Sequence, residues 1–169
     1  LQSTSRMVDF LAHSSLFEGL DSTLLNWIAH QAVVQTCEEN DFLFIQDSIA
    51  DHLYLLIDGR IGFAYRDAGS HRCVFLRAME GAGEPIGWSA LVDPRRYRIS
   101  AQALEAAHVV AIPGDTLQKL CEQQPQVGVR IMQRVLQIIR SRLRFTRVRL
   151  VASRYDTEVR AMRVMLDQA

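Results

Sequence analysis

Two periodicities divide the chain. Over Met7–Leu16, apolar residues return at helical spacing. They do so again after FEGLD, where Leu24, Leu25, Ile28 and Ala32 share one face and Asp21 is the expected N-cap. From Val33 the period shortens. VVQTC, DFLFIQ, DHLYLLIDG, RIGFAYR and HRCVFLRA are short runs rich in β-branched and aromatic residues, separated by ENDF, QDSIAD, the tight Asp58–Gly59–Arg60 turn and DAGSH. ISAQAL and HVVAIP continue the series. No long helix separates these runs, so they predict antiparallel strands in a small barrel or sandwich and not βαβ units.

Helical period returns at PGDTLQKLCEQQP, where Asp115 with Gln118 three residues on predicts a capping box. Pro125 then breaks the pattern, and residues 126–169 read as one long helix whose weak point is Gly128. Met132, Leu136, Ile139, Leu143, Thr146 and Leu150 alternate by four and three, a heptad seam with one polar member. Ile131, Val135, Ile138 and Val148 form a second apolar edge. The expectation is that one edge packs on the chain's own strands and that residues 130–150 join a homodimer. The domain division expected is 7–125 for the strand-rich part with its first helices and 126–169 for the long helix. Val159, Met162 and Leu166 extend the apolar spacing and predict a further protein contact.

Charge changes this picture little. Nineteen basic residues balance nineteen acidic ones, so the whole chain carries no field that draws nucleic acid. The arginines of the long helix, Arg130 to Arg154, alternate with Leu143, Phe145 and Val148, as a solvated flank of a seam does. Cys37, Cys73 and Cys121 are far apart and form no CxxC pair, which predicts reduced thiols in a cytoplasmic protein and neither disulfide nor zinc. No apolar run is long enough for a membrane span and no signal peptide is evident. LQSTSR reads as a trimmed or appended terminus before a natural start at Met7. The histidines His13, His30, His52, His71 and His108 contain no HxH pair, and neither GxSxG nor a P-loop is present. An enzyme, a metal and a cofactor are therefore not expected.

The chemistry gathers in GEPIGWSALVDPRRYR, Gly83–Arg98. Together with FEGLD and DFLFIQDSIADHLYLLIDGRI, this stretch resembles the cyclic-nucleotide-binding domain, in particular the sensor half of the bacterial catabolite-activator/fumarate-nitrate-regulator family, over roughly residues 7–150. The resemblance implies a mainly β fold with flanking helices: an antiparallel double-stranded β-helix (jelly-roll) barrel plus a long C-terminal dimerisation helix. Gly59 matches a closing glycine of the family, while Asn40 and Asp47 stand where glycines are common and tolerate the same left-handed turns. Gly83, Glu84, Ile86, Gly87, Ala90 and Leu91 match the phosphate-binding cassette.

The ligand so implied is a cyclic nucleotide, cAMP or cGMP, or another small effector. Its phosphate would meet the backbone N–H groups of Trp88, Ser89 and Ala90 after Gly87, with the Ser89 hydroxyl as a further donor. A buried arginine would add charge-assisted bonds, and Thr146 would meet the base. The cassette departs from the pattern at two places. Trp88 replaces the acid that takes the ribose hydroxyl and offers no acceptor. Counting forward from Gly87 puts the arginine on Arg98; counting backward from Ala103 puts it on Tyr97. The function implied is a regulatory sensor of a transcription-regulator-like protein; the alternative is a ligand-free dimerisation module. The family's helix-turn-helix does not follow before Ala169, so no direct DNA contact is expected from this chain, and DNA would enter through a longer protein.

Overall fold

The computed structural model describes residues 4–69 and 72–166, with side chains described to Ala152 apart from Arg149. His71 and the tail seam Val159, Met162 and Leu166 lie outside the described side chains. The chain divides into two compact units, Leu1–Ile131 and Met132–Ala169.

The first unit opens with α1 (Thr4–Ala12) and α2 (Ser22–Gln31). Asp21 caps α2 as its sequence predicts, its Oδ1 accepting from the Leu24 N–H at 2.9 Å. Eight strands follow: β1 (Val33–Cys37), β2 (Phe42–Phe44), β3 (His52–Asp58), β4 (Ile61–Arg66), β5 (Cys73–Met79), β6 (Pro85–Ile86), β7 (Ser100–Ala103) and β8 (Ala107–Pro113). A 3₁₀ turn, Trp88–Leu91, sits between β6 and β7, and α3 (Gly114–Gln123) follows β8. Asn40 (φ 74°) and Asp47 (φ 66°) adopt the left-handed turns expected of them. At Gly59 (φ 85°) a Cβ would lie 2.4 Å from the Ala106 carbonyl oxygen, so only glycine fits.

The strands form two antiparallel sheets, in the orders β1-β8-β3-β6 and β2-β7-β4-β5. In the first, Leu53 pairs with Ile112 and Leu55 with Val110. Leu53, Tyr54, Leu55 and Leu56 are all buried, as are Val109 to Ile112, so this sheet is covered on both faces. Helices α2 and α3 pack against its β8, and Tyr54 on its other face meets Phe44 of the second sheet with ring centroids 6.1 Å apart. The second sheet alternates. Ile61, Phe63, Ala101 and Ala103 point into the core, while Phe42 and Phe75 stay exposed on the opposite face.

This architecture corrects the closed jelly-roll barrel expected above, and the mainly β class with it. The fold is mixed α/β, with two separate antiparallel sheets that are neither closed into a barrel nor strongly curled. The edges explain why. Strand β2 has three residues and β6 two, the latter headed by Pro85, which lacks a backbone donor. Such short edges cannot carry a hydrogen-bond ladder around a corner. The capping box is also corrected. Helix α3 begins at Gly114 after Pro113 with no side-chain cap, and Asp115 and Gln118 are directed to Arg95 instead.

Helix α4 (Pro125–Leu166) runs unbroken through Gly128, where a Cβ would come within 3.0 Å of the Cys121 Cβ. Ile131 and Val135 are buried, whereas the seam residues Leu136, Ile139, Leu143 and Leu150 are exposed. No helix among the described residues is long and apolar enough to cross a membrane.

Candidate functional site

Gly87 follows β6 in the left-handed region (φ 77°) and opens the 3₁₀ turn, with the Ala90 N–H donating to its carbonyl at 3.0 Å. A left-handed residue is required here, and space is lacking as well. A Cβ on Gly87 would lie 2.9 Å from Cε1 of Tyr97 and 3.3 Å from the His52 carbonyl oxygen. The bend at Gly83 (φ 76°) is tied to β3, its N–H donating to the Leu56 carbonyl at 2.8 Å. Ala90 is buried, and Trp88 and Ser89 are half-buried.

The ring lying over Gly87 belongs to Tyr97, which is 2% exposed. It stacks on Phe44 of β2 with centroids 3.7 Å apart and planes 9° from parallel. Its hydroxyl donates to the His52 carbonyl at 2.7 Å and accepts from the His52 N–H at 3.3 Å. Burial, reinforced by the neighbouring Tyr54, pushes the Tyr97 phenol far above its ordinary value. Burial likewise raises Tyr54.

The arginines are placed elsewhere. Arg98, the forward-counted position, is exposed. Exposed Arg96 donates through Nη1 to the Asp47 carbonyl at 2.6 Å. Arg95 is turned to α3, where Nη1 meets the Asp115 carboxylate and donates to Gln118 Oε1 at 3.2 Å. That hydrogen bond and charge hold the Asp115 carboxyl below the usual carboxylate range. The Arg95 Nε is buried without a partner. Thr146 stands on the second unit, and its hydroxyl donates back to the Arg142 carbonyl at 2.9 Å.

Gly87, Trp88, Ser89, Ala90 and Tyr97 thus converge, and Arg98 does not join them. The set offers backbone donors, while Arg95 and Arg96 are engaged elsewhere. The Tyr97 ring closes the side of Gly87 on which a Cβ would stand, and Trp88, which has no acceptor, stands where the resemblance expects an acid. Sequence reasoning missed Phe44 and the His52 backbone as partners of Tyr97. The backward count to Tyr97 was the signal that led there. Among the described residues no group of three or more His, Cys, Asp or Glu gathers as a metal site.

Comparison with known proteins agrees with the architecture. The family model described as cyclic nucleotide-binding domain matches residues 34–124. The transcriptional activator protein anr of Pseudomonas aeruginosa is 31% identical over 104 residues, which cover 61% of this chain and 41% of that protein. The match therefore spans less than half of that relative's length. A cyclic nucleotide-binding domain from Methylobacillus flagellatus KT superimposes with a TM-score of 0.73 at 17% identity, over 89% of this chain and 83% of the other. The sensor domain of the transcriptional regulator DNR from Pseudomonas aeruginosa does so with a TM-score of 0.70 at 15% identity, over 85% and 95%. The chain belongs to the cyclic nucleotide-binding domain family, as a non-enzymatic regulatory domain related to transcription regulators.

Proposed function

We propose that this chain is the sensor module of a transcription regulator, that it works as a homodimer through α4, and that its effector is not a cyclic nucleotide held at the cassette. Tyr97 carries this reading. Its ring covers Gly87 and its hydroxyl is satisfied by His52, so the cassette is complete without a phosphate. Residues 7–125 would sense and 126–169 would signal, with Arg95 joining the cassette loop to α3. The exposed seam Leu136, Ile139, Leu143 and Leu150 supports a second copy as the partner of α4. Thr146 takes no part in binding a base on this reading, and its place in the seam makes it a register position between two copies. The closed cassette equally favours a ligand-free dimerisation module as the second reading.

Calorimetric titration with cAMP and cGMP tests the cassette; the expected result is no binding heat and no shift in Tm, and micromolar binding of either refutes it. Light scattering tests the dimer. A dimer that Leu136→Asp with Leu143→Asp turns into a folded monomer is expected, and a wild-type monomer at micromolar concentration refutes it. A small molecule that binds and alters the dimer would decide for the sensor over the ligand-free module.

A further inference from the structure

The open face of the second sheet carries a hollow of about 350 Å³ that the cassette does not use. Gly62 and Ala64 of β4 and Ser100 of β7 line it with small side chains, and Phe42, Ile45, Phe75 and Leu104 supply its bulk. A Cβ on Gly62 would lie 2.8 Å from Cδ2 of Leu104, so the Leu104 side chain lies directly against this glycine. A volume of this size falls within the range of small-molecule sites, roughly 300–1,000 Å³.

Two opposite charges, Asp47 and Arg66, also line the hollow. Gln46 draws their backbones together. Its Oε1 accepts from the Arg66 N–H at 2.8 Å, and its Nε2 lies 3.2 Å from the Arg66 carbonyl and 3.4 Å from Asp47 Oδ2. The Gln46 N–H donates to the Ser100 hydroxyl at 3.0 Å, leaving that hydroxyl's own proton for another acceptor. Asp47 and Arg66 form no ion pair with each other or with any other described residue. The hollow therefore combines apolar walls with a carboxylate that accepts from the Gln46 amide and a guanidinium, neither in an ion pair among the described residues.

We propose that this hollow binds an apolar α-amino acid. The guanidinium of Arg66 takes its carboxylate, Asp47 takes its ammonium group, and the side chain lies on Gly62 and Ala64. A simple anion would face the Asp47 carboxylate, and a simple cation would face Arg66. A zwitterion is the small ligand that meets both charges favourably.

The position of the hollow gives such a ligand a route to the cassette. The Asp47 N–H donates to the Tyr97 carbonyl at 2.7 Å, the Tyr97 N–H donates to the Ser48 carbonyl at 3.1 Å, and Arg96 grips the Asp47 carbonyl. Fixing Asp47 fixes the loop segment that carries Tyr97, and Arg95 two residues before it holds α3. The regulatory consequence rests on the sensor reading above; the binding site does not.

The test is calorimetry on the full chain with L-leucine and L-phenylalanine, beside N-acetyl-leucine and leucine amide, each of which lacks one charge. Saturable binding of the free amino acids is expected, weakened by about tenfold or more when either charge is blocked. Asp47→Asn and Arg66→Gln should each cost about the same factor, and asparagine keeps the left-handed turn at φ 66°, so folding survives. Ala64→Phe should abolish binding, with Tm and circular dichroism checking that the variant folds. Absence of binding by any apolar amino acid at millimolar concentration overturns the proposal. So does N-acetyl-leucine binding as tightly as leucine, or binding that Asp47→Asn and Arg66→Gln leave unchanged. A dimer that binds no amino acid refutes this site alone, and an amino-acid-binding monomer refutes the dimeric sensor alone.

Discussion

Replacing Tyr97 by phenylalanine isolates the hydroxyl that closes the cassette. The ring and its 3.7 Å stack on Phe44 remain; what goes is the bond to the His52 carbonyl at 2.7 Å and the weaker one from the His52 N–H at 3.3 Å. A net hydrogen bond contributes about 0.5–1.5 kcal/mol, and an acceptor left unpaired in a buried place costs about 1–3 kcal/mol. His52 is only partly buried, which favours the lower part of both ranges. Tyr97→Phe should therefore destabilise the first unit by about 1–2 kcal/mol. Tyr97→Ala removes the ring over Gly87 as well and should cost about 3–5 kcal/mol, the range for a large buried aromatic side chain. Exposed Arg98→Ala should stay within about 0.5 kcal/mol of the parent. Urea unfolding followed by the fluorescence of Trp27 and Trp88, with the slope checked for two-state behaviour, gives all three values. A Tyr97→Phe variant as stable as the parent, beside an Arg98→Ala variant more than about 2 kcal/mol weaker, would show that Arg98 and not Tyr97 holds the cassette.

Three further outcomes follow from the same contacts. Gly87→Ala meets both a left-handed φ and a 2.9 Å approach to Tyr97, and should lower stability by about 2 kcal/mol or more in the same urea assay. The raised phenol of Tyr97 makes the fold prefer the protonated form: this contribution is complete below the ordinary tyrosine pKa of about 10 and is lost as pH rises above it. Alkaline titration at the phenolate absorbance band should show Tyr97 ionising only with unfolding, and Tyr97→Phe should lower the amplitude of that late step by one tyrosine, Tyr54 keeping its own raised titration. The lowered carboxyl of Asp115 works in the opposite direction, its contribution present above the ordinary carboxylate pKa and fading as pH falls. Arg95→Ala should return the Asp115 titration to the usual range by NMR and speed amide exchange in the first turn of α3.

Much of the fold was legible because burial on one face leaves a period in the chain. VVQTC became β1 over its full length, and the apolar face after Asp21 became α2 with that residue as its cap. Sheet closure was not legible, because it depends on ladders between elements far apart in sequence and on the length of edge strands. Strand β6 is a single Pro85–Ile86 step inside a glycine-framed turn and carries no period at all. Asp115 and Gln118 show a different limit. An acid and an amide at i, i+3 can cap their own helix or can both face a neighbour, and Arg95, twenty residues earlier, decides for the neighbour. The hollow was hidden for a similar reason: Asp47 and Arg66 become neighbours only when Gln46 binds the end of β4.

The two counts to the cassette arginine disagree for a physical reason. Counting forward crosses Val92–Arg96, a loop whose length no hydrogen-bond ladder fixes. Counting backward starts from β7, where Ala101 pairs with Phe63 and Ala103 with Ile61, so a slip of one residue would turn the core side chains out to solvent. The ladder therefore gives the firmer register; it ends at Ser100, and three residues before it stands Tyr97. An arginine in that place would need an anion, since a buried guanidinium left unpaired is costly. A tyrosine needs only a carbonyl, and His52 supplies one from the chain itself. With Trp88 in place of the acid, neither departure leaves a buried charge behind. On the proposed reading the two aromatic residues form a coherent pair of changes, under which the cassette keeps its turn and its packing and needs no phosphate.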